Sequence, residues 1–276
     1  GNAANNSVGT RRLGVNSAII ITLGDDEIGD QIVEKLIKEG VDTTYVFRQS
    51  GSMSNYSTAI TVAGERTLFT YKSPVEYQFP NELPKTNWVY LTSIGEGFEG
   101  IYQKVVDWVS KDSQIKLAFN PGSRQIRAGF GPLKDVLASS YIIYINRQEA
   151  EIITGFKDSQ NKEKELLSTL SSLGPKISIV TDGNNGSYVF DGVKYLKTGI
   201  LPIDAYERTG AGDSFGSGCI AALIKGRDIS EAILWGTVNA ASVIGYTGSQ
   251  RGLLQEGEIG GWLERAKSSG VKVEEF

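Results

Sequence analysis

Glu207-Arg208-Thr209-Gly210-Ala211-Gly212-Asp213-Ser214-Phe215-Gly216-Ser217-Gly218 brings two glycines and a carboxylate to a point where a helix is about to begin. The residues that follow, Cys219-Ile220-Ala221-Ala222-Leu223-Ile224-Lys225, are a helix-compatible run closed by Gly226. The first N–H groups of a helix have no partner within it, so the amides of Gly210 to Asp213 should point at whatever lies before them. A phosphate oxygen suits that position best. The plainer reading is a tightly packed helix start that needs glycine for close approach.

Two commoner glycine motifs do not fit. Phe215 stands where a dinucleotide fingerprint needs its third glycine, and the stretch lies late in the chain rather than in an opening βαβ unit. A glycine-rich oxidoreductase is therefore not expected. No Gly-Lys pair occurs, so the Walker A lysine that reaches the β- and γ-phosphates is absent.

Composition narrows the chemistry. The 276 residues suit one α/β domain with a small accessory element. The net charge of −4 arises from 28 basic and 32 acidic residues with no basic block, which argues against nucleic acid or an anionic membrane as partner. The longest apolar runs, such as Ser17 to Leu23, are strand-sized, far short of the roughly 18 residues of a membrane span. No basic and apolar leader opens the chain, so a cytoplasmic protein is expected. Histidine is absent, which removes Ser-His-Asp and Cys-His catalysis and most zinc chemistry. The single cysteine, Cys219, reads as a buried structural thiol.

From Ser17 onward, β-rich runs alternate with amphipathic helical runs, the pattern of an α/β fold with a mainly parallel central sheet covered by helices on both faces. Strands are expected at Ser17 to Leu23, Trp88 to Leu91, Ile115 to Phe119, Tyr141 to Ile145 and Ile177 to Thr181. Helices are expected at Gly29 to Gly40, with Ile32, Val33, Leu36 and Ile37 on one face, and at Glu99 to Ser110, Pro132 to Ser139, Gln148 to Thr154 and Lys162 to Leu173. Thr58 to Val62 and Thr67 to Tyr71 flank Ala63-Gly64-Glu65-Arg66 as an antiparallel hairpin, with Ser50 to Tyr56 as its hinge. An edge hairpin of the main sheet is the alternative.

The opening, Gly1-Asn2-Ala3-Ala4-Asn5-Asn6-Ser7-Val8-Gly9-Thr10-Arg11-Arg12-Leu13-Gly14, runs from a glycine through an asparagine into a helix ending in Arg-Leu-Gly. It resembles the N-terminal signature of the ribokinase-like (PfkB) carbohydrate and nucleoside kinases, and Thr209 to Gly218 resembles the C-terminal signature of the same family. Both signatures stand in the family's order, and the resemblance covers essentially the whole chain. It implies a single ribokinase-like domain over residues 1–276, with 50–73 as a small β lid over the sugar. It aligns Gly1 with the second glycine of the family's N-terminal pair. If the chain is complete, a first strand, part of the lid and an acidic substrate ligand are missing.

The resemblance also implies a function. An ATP- and Mg²⁺-dependent kinase that phosphorylates a hydroxymethyl group of a sugar is expected; a nucleoside kinase of the same family is the alternative, and a non-catalytic sugar- or nucleotide-sensing relative is the alternative from another class. Asp213 is expected as the base, ionised at neutral pH because a helix N-terminus favours the anion. Its amide, with those of Gly210, Ala211 and Gly212, would form the anion hole. Asn146 and Glu149, in Asn146-Arg147-Gln148-Glu149, match the family's Asn-x-x-Glu pattern that organises magnesium, whose preference is for oxygen ligands and retained waters. An ordinary capping arrangement looks the same.

Thr181, Gly183 and Gly186 resemble the nucleotide-side loop, although a surface turn would look similar. Asn239 and Gly248 resemble adenine-side elements. A monovalent cation such as K⁺ often sits in the family between the Gly248 loop and the segment before the anion hole, where this chain has Glu207 rather than the usual aspartate. Gly1 and Asn5 match positions that bind sugar hydroxyls, and Asn120 and Arg124 lie near the expected phosphate path, Arg124 reading equally as a solvated arginine. Lid hairpins in the family often pair, which raises a homodimer.

Overall fold

The computed structural model describes residues 1–62, 65–83 and 85–276, without the side chains of 61, 62, 65, 66 and 68. In chain order its elements are α1 (Asn2–Arg12), β1 (Ile21–Gly24), α2 (Glu27–Lys38), β2 (Val46–Gln49), β3 (Tyr56–Val62), β4 (Glu65–Tyr71), β5 (Trp88–Thr92), α3 (Phe98–Val109), β6 (Lys116–Asn120), α4 (Ser123–Ala128), α5 (Lys134–Ser139), β7 (Ser140–Asn146), α6 (Arg147–Thr154), α7 (Glu163–Ser172), β8 (Ile177–Thr181), β9 (Ser187–Phe190), β10 (Tyr195–Thr198), α8 (Ala211–Ile224), α9 (Ile229–Ile244), α10 (Glu256–Ser268) and β11 (Val273–Glu275). The core strands and their helices fall where the periodicity places them, to within one or two residues. Of Ser17 to Leu23 only the end is strand; Ala18 makes a lone parallel bridge to Asp42.

The central sheet has seven strands in the order β11-β10-β9-β8-β7-β6-β5. Strands β5 to β8 are parallel neighbours, as short strands joined by helices must be. Beyond β8 the sheet continues antiparallel through β9, β10 and β11, an extension not anticipated from the periodicity. Alternation along each parallel strand sends side chains to two opposite cores. Leu117, Phe119, Ile143, Ile145 and Val180 pack against α3 to α7. Ala118, Ile142, Tyr144, Ile177 and Ile179 pack against α8, α9 and α10. Cys219 lies in the second core, where burial pushes its thiol up to about 12, in keeping with a structural role.

β1 and β2 form a separate parallel pair, and β3 and β4 a separate antiparallel hairpin. The expected turn at Ala63-Gly64 lies outside the described residues. The hairpin is not an edge of the central sheet. Ile60 and Phe69 are more than half exposed on it, and the Tyr56 and Tyr71 rings stack at its base with centroids 5.6 Å apart. Its hinge is anchored by Ser54, whose hydroxyl and amide donate to Asp26, the N-cap of α2. Along α2, Leu36 is buried but Ile37 is exposed, contrary to the expected face. One residue is about 100° of helix, which carries Ile37 out of the buried arc.

α1 crosses α8 at very short range. A side chain at Gly9 would place its first carbon 2.7 Å from Ser217 Cβ, so the two helices approach as closely as they do only because Gly9 has none. Arg12, one turn further on, makes a two-pronged ion pair with Glu39 after α2 and donates to the carbonyls of Gln250 and Leu253. Glu39 is held down to about 2 chiefly by the Arg12 hydrogen bonds, with Lys35 helping. The start of the chain is thereby fixed against the segment that precedes α10.

Gly9→Val is expected to lower stability by about 1–3 kcal/mol through overpacking, read from urea unfolding. An unchanged midpoint would show that α1 and α8 do not meet at this residue.

Candidate active site

Gly210 caps α8 with φ +82°, a left-handed conformation that costs a glycine little. A Cβ there would also lie 2.8 Å from Ser249 Cα. Both constraints demand glycine at this turn. Ser214 N–H donates to the Gly210 carbonyl and Ala211 N–H to that of Arg208, which leaves the N–H groups of Gly210, Gly212 and Asp213 without a backbone partner among the described residues. The anion cradle is thus narrower than expected, since the Ala211 amide is turned into the preceding bend.

Asp213 is 9% exposed, on the first turn of α8. Asn5 Nδ2 donates to its Oδ2 at 2.7 Å, across the α1–α8 crossing. The other end of the same amide is also engaged: Asn5 Oδ1 accepts from Ser249 Oγ at 2.9 Å and Gln250 Nε2 at 3.0 Å. Burial raises the Asp213 carboxyl above its ordinary value, and the Asn5 hydrogen bond opposes that rise. Desolvation therefore outweighs the hydrogen bond that favours the anion. Such a raised carboxyl is a better proton acceptor than a free aspartate.

Beside Asp213 lie Tyr90 on β5, Thr92 two residues on, and Asn6 on α1; the Tyr90 hydroxyl has the Thr92 and Asn6 side chains next to it and feels the Asp213 charge. The Tyr90 hydroxyl, Thr92 Oγ1 and Asn6 Nδ2 are all buried; none has a well-aligned hydrogen-bond partner among the described residues, although the Thr92 and Asn6 side chains lie close enough to the Tyr90 hydroxyl to oppose the rise that burial causes in its pKa. Buried polar atoms in that condition are costly and mark a place built for a polar ligand or water. Tyr90 and Thr92 were not singled out from sequence, because β5 reads there as an ordinary apolar strand, and Asn6 entered only as part of the N-terminal signature.

At the end of β7, Asn146 caps α6: its Oδ1 accepts from Glu149 N–H at 2.9 Å, and Glu149 Oε2 accepts from Asn146 N–H at 3.0 Å. The capping arrangement is therefore real. It uses Glu149 Oε2 and one lone pair of Asn146 Oδ1, and leaves the second Glu149 oxygen and the other lone pair of Asn146 Oδ1 as oxygen donors. Burial raises the Glu149 carboxyl, with the Asn146 hydrogen bonds opposing. A cation nearby would relieve that penalty. Among the described residues no group of three or more acidic or sulfur ligands could hold a metal alone. The donor set fits a hard divalent ion that arrives with phosphate oxygens and keeps its waters.

Thr181 ends β8 in direct register with Asn146. The loop beyond it, carrying Gly183 and Gly186, is closed by Asp182 N–H to the Gly186 carbonyl at 2.8 Å. It lies next to the Asn146 turn. Glu207 joins the other side: its carboxylate accepts from Thr209 Oγ1 and from Gly248 N–H, the latter at 2.9 Å. Gly248 is thus tied to the approach to α8.

Other expected residues have different tasks. Asn239 is fully buried; its Nδ2 donates to the Ser214 carbonyl and Ser217 Oγ, and its Oδ1 accepts from Leu254 N–H. It knits α8, α9 and the following segment together and presents no free amide atom. Asn120 donates to the Tyr144 carbonyl at 2.8 Å at the end of β6. Arg124 on α4 makes an exposed ion pair with Glu96 at 3.3 Å, a contact too weak to hold it in place. Gly1 caps α1, with its carbonyl accepting from Asn5 N–H.

The profile of the pfkB family carbohydrate kinases matches residues 1–256. A ribokinase of Haemophilus influenzae is 27% identical over 279 residues, covering 96% of this chain and 87% of that protein. Among solved structures, the Arabidopsis thaliana ribokinase complexed with ribose and ATP has a TM-score of 0.82 at 20% identity, over 96% of this chain and 87% of that one. The Methanocaldococcus jannaschii nucleoside kinase, an archaeal member of the ribokinase family, has a TM-score of 0.77 at 21% identity, over 96% and 86%. The ribokinase-like fold implied by the two signatures is the fold of this chain.

Asn5→Ala removes the hydrogen bond that restrains Asp213, and the carboxyl should rise further above its ordinary value. NMR titration of the Asp213 carboxyl reads this directly. A fall, or no change, would remove Asn5 as the partner that keeps Asp213 ionised.

Proposed function

The chain belongs to the pfkB family of carbohydrate kinases, which makes it a phosphotransferase; on that premise we propose that it moves the γ-phosphoryl group of ATP to a hydroxymethyl group of a sugar, with Asp213 as the base. The observation that carries this reading is the buried Asp213 carboxyl at the start of α8, held by Asn5, with the polar side chain of Tyr90 within reach of its charge. The carboxyl and the amides at that helix start serve opposite ends of one transfer. Asp213 takes the proton of the acceptor hydroxyl as its oxygen bonds to phosphorus and the bond from phosphorus to the ADP oxygen breaks. The Gly212 and Asp213 N–H groups face the negative charge on the moving group.

The Tyr90 hydroxyl, Thr92 Oγ1 and Asn6 Nδ2 would hydrogen-bond further hydroxyls of the acceptor and so hold the reacting one at Asp213. A polyhydroxylated acceptor satisfies three buried atoms at once, and that favours a sugar. The nucleotide would lie over the Thr181–Gly186 loop, between the Asn146 turn and the Gly248 loop. Mg²⁺, when bound with ATP, supplies charge neutralisation at the phosphates, and Asn146 and Glu149 would hold it through their remaining atoms and waters. Glu207, bridging Thr209 and Gly248, would be the acidic ligand of a monovalent cation such as K⁺. The β3–β4 hairpin would close over the acceptor and exclude water, so that ATP is not hydrolysed instead.

Coupled ADP release with Mg-ATP against ribose, fructose, 2-keto-3-deoxygluconate, adenosine, inosine and cytidine tests the reading. Turnover is expected with a sugar, and Asp213→Asn, which keeps the shape but takes no proton, should lower kcat by about 10²–10⁴-fold. Turnover with nucleosides alone would replace the sugar kinase by a nucleoside kinase. Tight nucleotide binding without any acceptor-dependent turnover would make the chain a sensing relative.

A further inference from the structure

Arg147 sits inside the Asn146–Glu149 turn, yet its side chain takes no part in capping. It is 8% exposed. One nitrogen donates to the carbonyl and hydroxyl of Ser159 at 2.9 and 3.1 Å. The other lies 2.8 Å from Glu163 Oε1 and 3.0 Å from Asp182 Oδ2. The Tyr188 ring covers it at 5.4 Å.

The two carboxylates belong to different parts of the molecule. Glu163 opens α7, outside the nucleotide loop, and accepts from Asn161 N–H at 3.2 Å. Asp182 is in the nucleotide-side loop itself; its Oδ2 also accepts from Asn185 Nδ2 at 2.9 Å, and its backbone closes the loop onto Gly186. Sheet register aligns Asn146 with Thr181 but stops there, at the last residue of each strand. Past that point, the Arg147–Asp182 pair is a direct side-chain link between the two turns. A planar guanidinium can serve both carboxylates and Ser159 at once, which a lysine ammonium cannot do in this geometry.

We propose that Arg147 is a positioning residue for nucleotide binding: through Asp182 it holds the Thr181–Gly186 loop in register with the Asn146–Glu149 turn, so that both meet the same metal–phosphate group. This rests on the kinase reading above for what the two turns bind. A buried ion pair with a purely structural role would treat Glu163 and Asp182 alike, since losing either carboxylate breaks one arm of one network. A positioning role does not, because only the Asp182 arm reaches the loop.

The test compares Asp182→Asn, Glu163→Gln and Arg147→Lys by calorimetric titration with Mg-ADP, with thermal unfolding alongside. Asp182→Asn and Arg147→Lys should weaken Mg-ADP binding by about tenfold, the scale typical of residues that orient direct ligands. Glu163→Gln should lower the unfolding midpoint and leave Mg-ADP affinity unchanged. In turnover assays the same loss should fall on KM for Mg-ATP, with KM for the acceptor unmoved. Equal effects of Asp182→Asn and Glu163→Gln on Mg-ADP affinity, or none from either, would overturn the proposal. A wild-type chain that binds no Mg-ADP would overturn both this and the kinase reading. Intact Mg-ADP binding without transfer to any acceptor would overturn only the acceptor assignment, and the Mg-ADP comparison would still decide the role of Arg147.

Discussion

A carboxylate buried at the start of a helix is tolerated only when something holds it, and in this protein the holder comes from the opposite end of the chain. Asn5 donates to Asp213 at 2.7 Å, and it can do so only because α1 and α8 meet at Gly9 and Ser217 with no side chain between them. The rest of the N-terminal helix serves that meeting. Arg12 fixes α1 to Glu39 and to the carbonyls of Gln250 and Leu253, and the loop held by those carbonyls returns Ser249 and Gln250 to the other face of the Asn5 amide. One side chain therefore joins Asp213, the first helix and the late loop into a single arrangement.

The other half of the site is made by sheet register. Parallel pairing of β7 with β8 sets Asn146 beside Thr181, and strand ends in such a sheet open on the same edge. The turns that follow differ in character: one is the start of α6 with its reciprocal cap, the other a short loop closed on itself. The two cores on either side of the sheet are what keep these edges rigid. Ile143 and Ile145 face one, and Ile142 and Tyr144 the other, so a slip of one residue would exchange every side chain between them.

Much of this was legible without coordinates. Two-residue alternation and helical periodicity located the parallel strands and their helices, and the absence of histidine, a Walker lysine and a complete dinucleotide fingerprint removed competing chemistries. Gly210, Gly212 and Asp213 could be read as a helix start facing an anion because orphan amides follow from local geometry alone. Other assignments failed to carry through for reasons that are not local. Asn239 looks like a site asparagine in sequence, but its partners, Ser214 and Ser217 on α8 and Leu254 before α10, come from two other segments and consume it wholly. Ala211 was counted among the anion donors, yet the carbonyl of Arg208 takes its N–H. Ile37 has the right spacing for a buried stripe and the wrong angle for its end.

The sequence by itself determined the class of fold, the position of the helix start that carries Asp213, and the turns at Asn146 and Thr181, because each depends on residues close together in the chain. Only the tertiary structure decided that Asn5 is the partner of Asp213, that Tyr90, Thr92 and Asn6 present unpartnered polar atoms beside it, and that Arg147 reaches Asp182. Those facts depend on side chains brought together from distant segments, and on how much water each loses there. Burial is a property of the packed molecule. It raises the Asp213 carboxyl where the helix terminus alone would favour the anion.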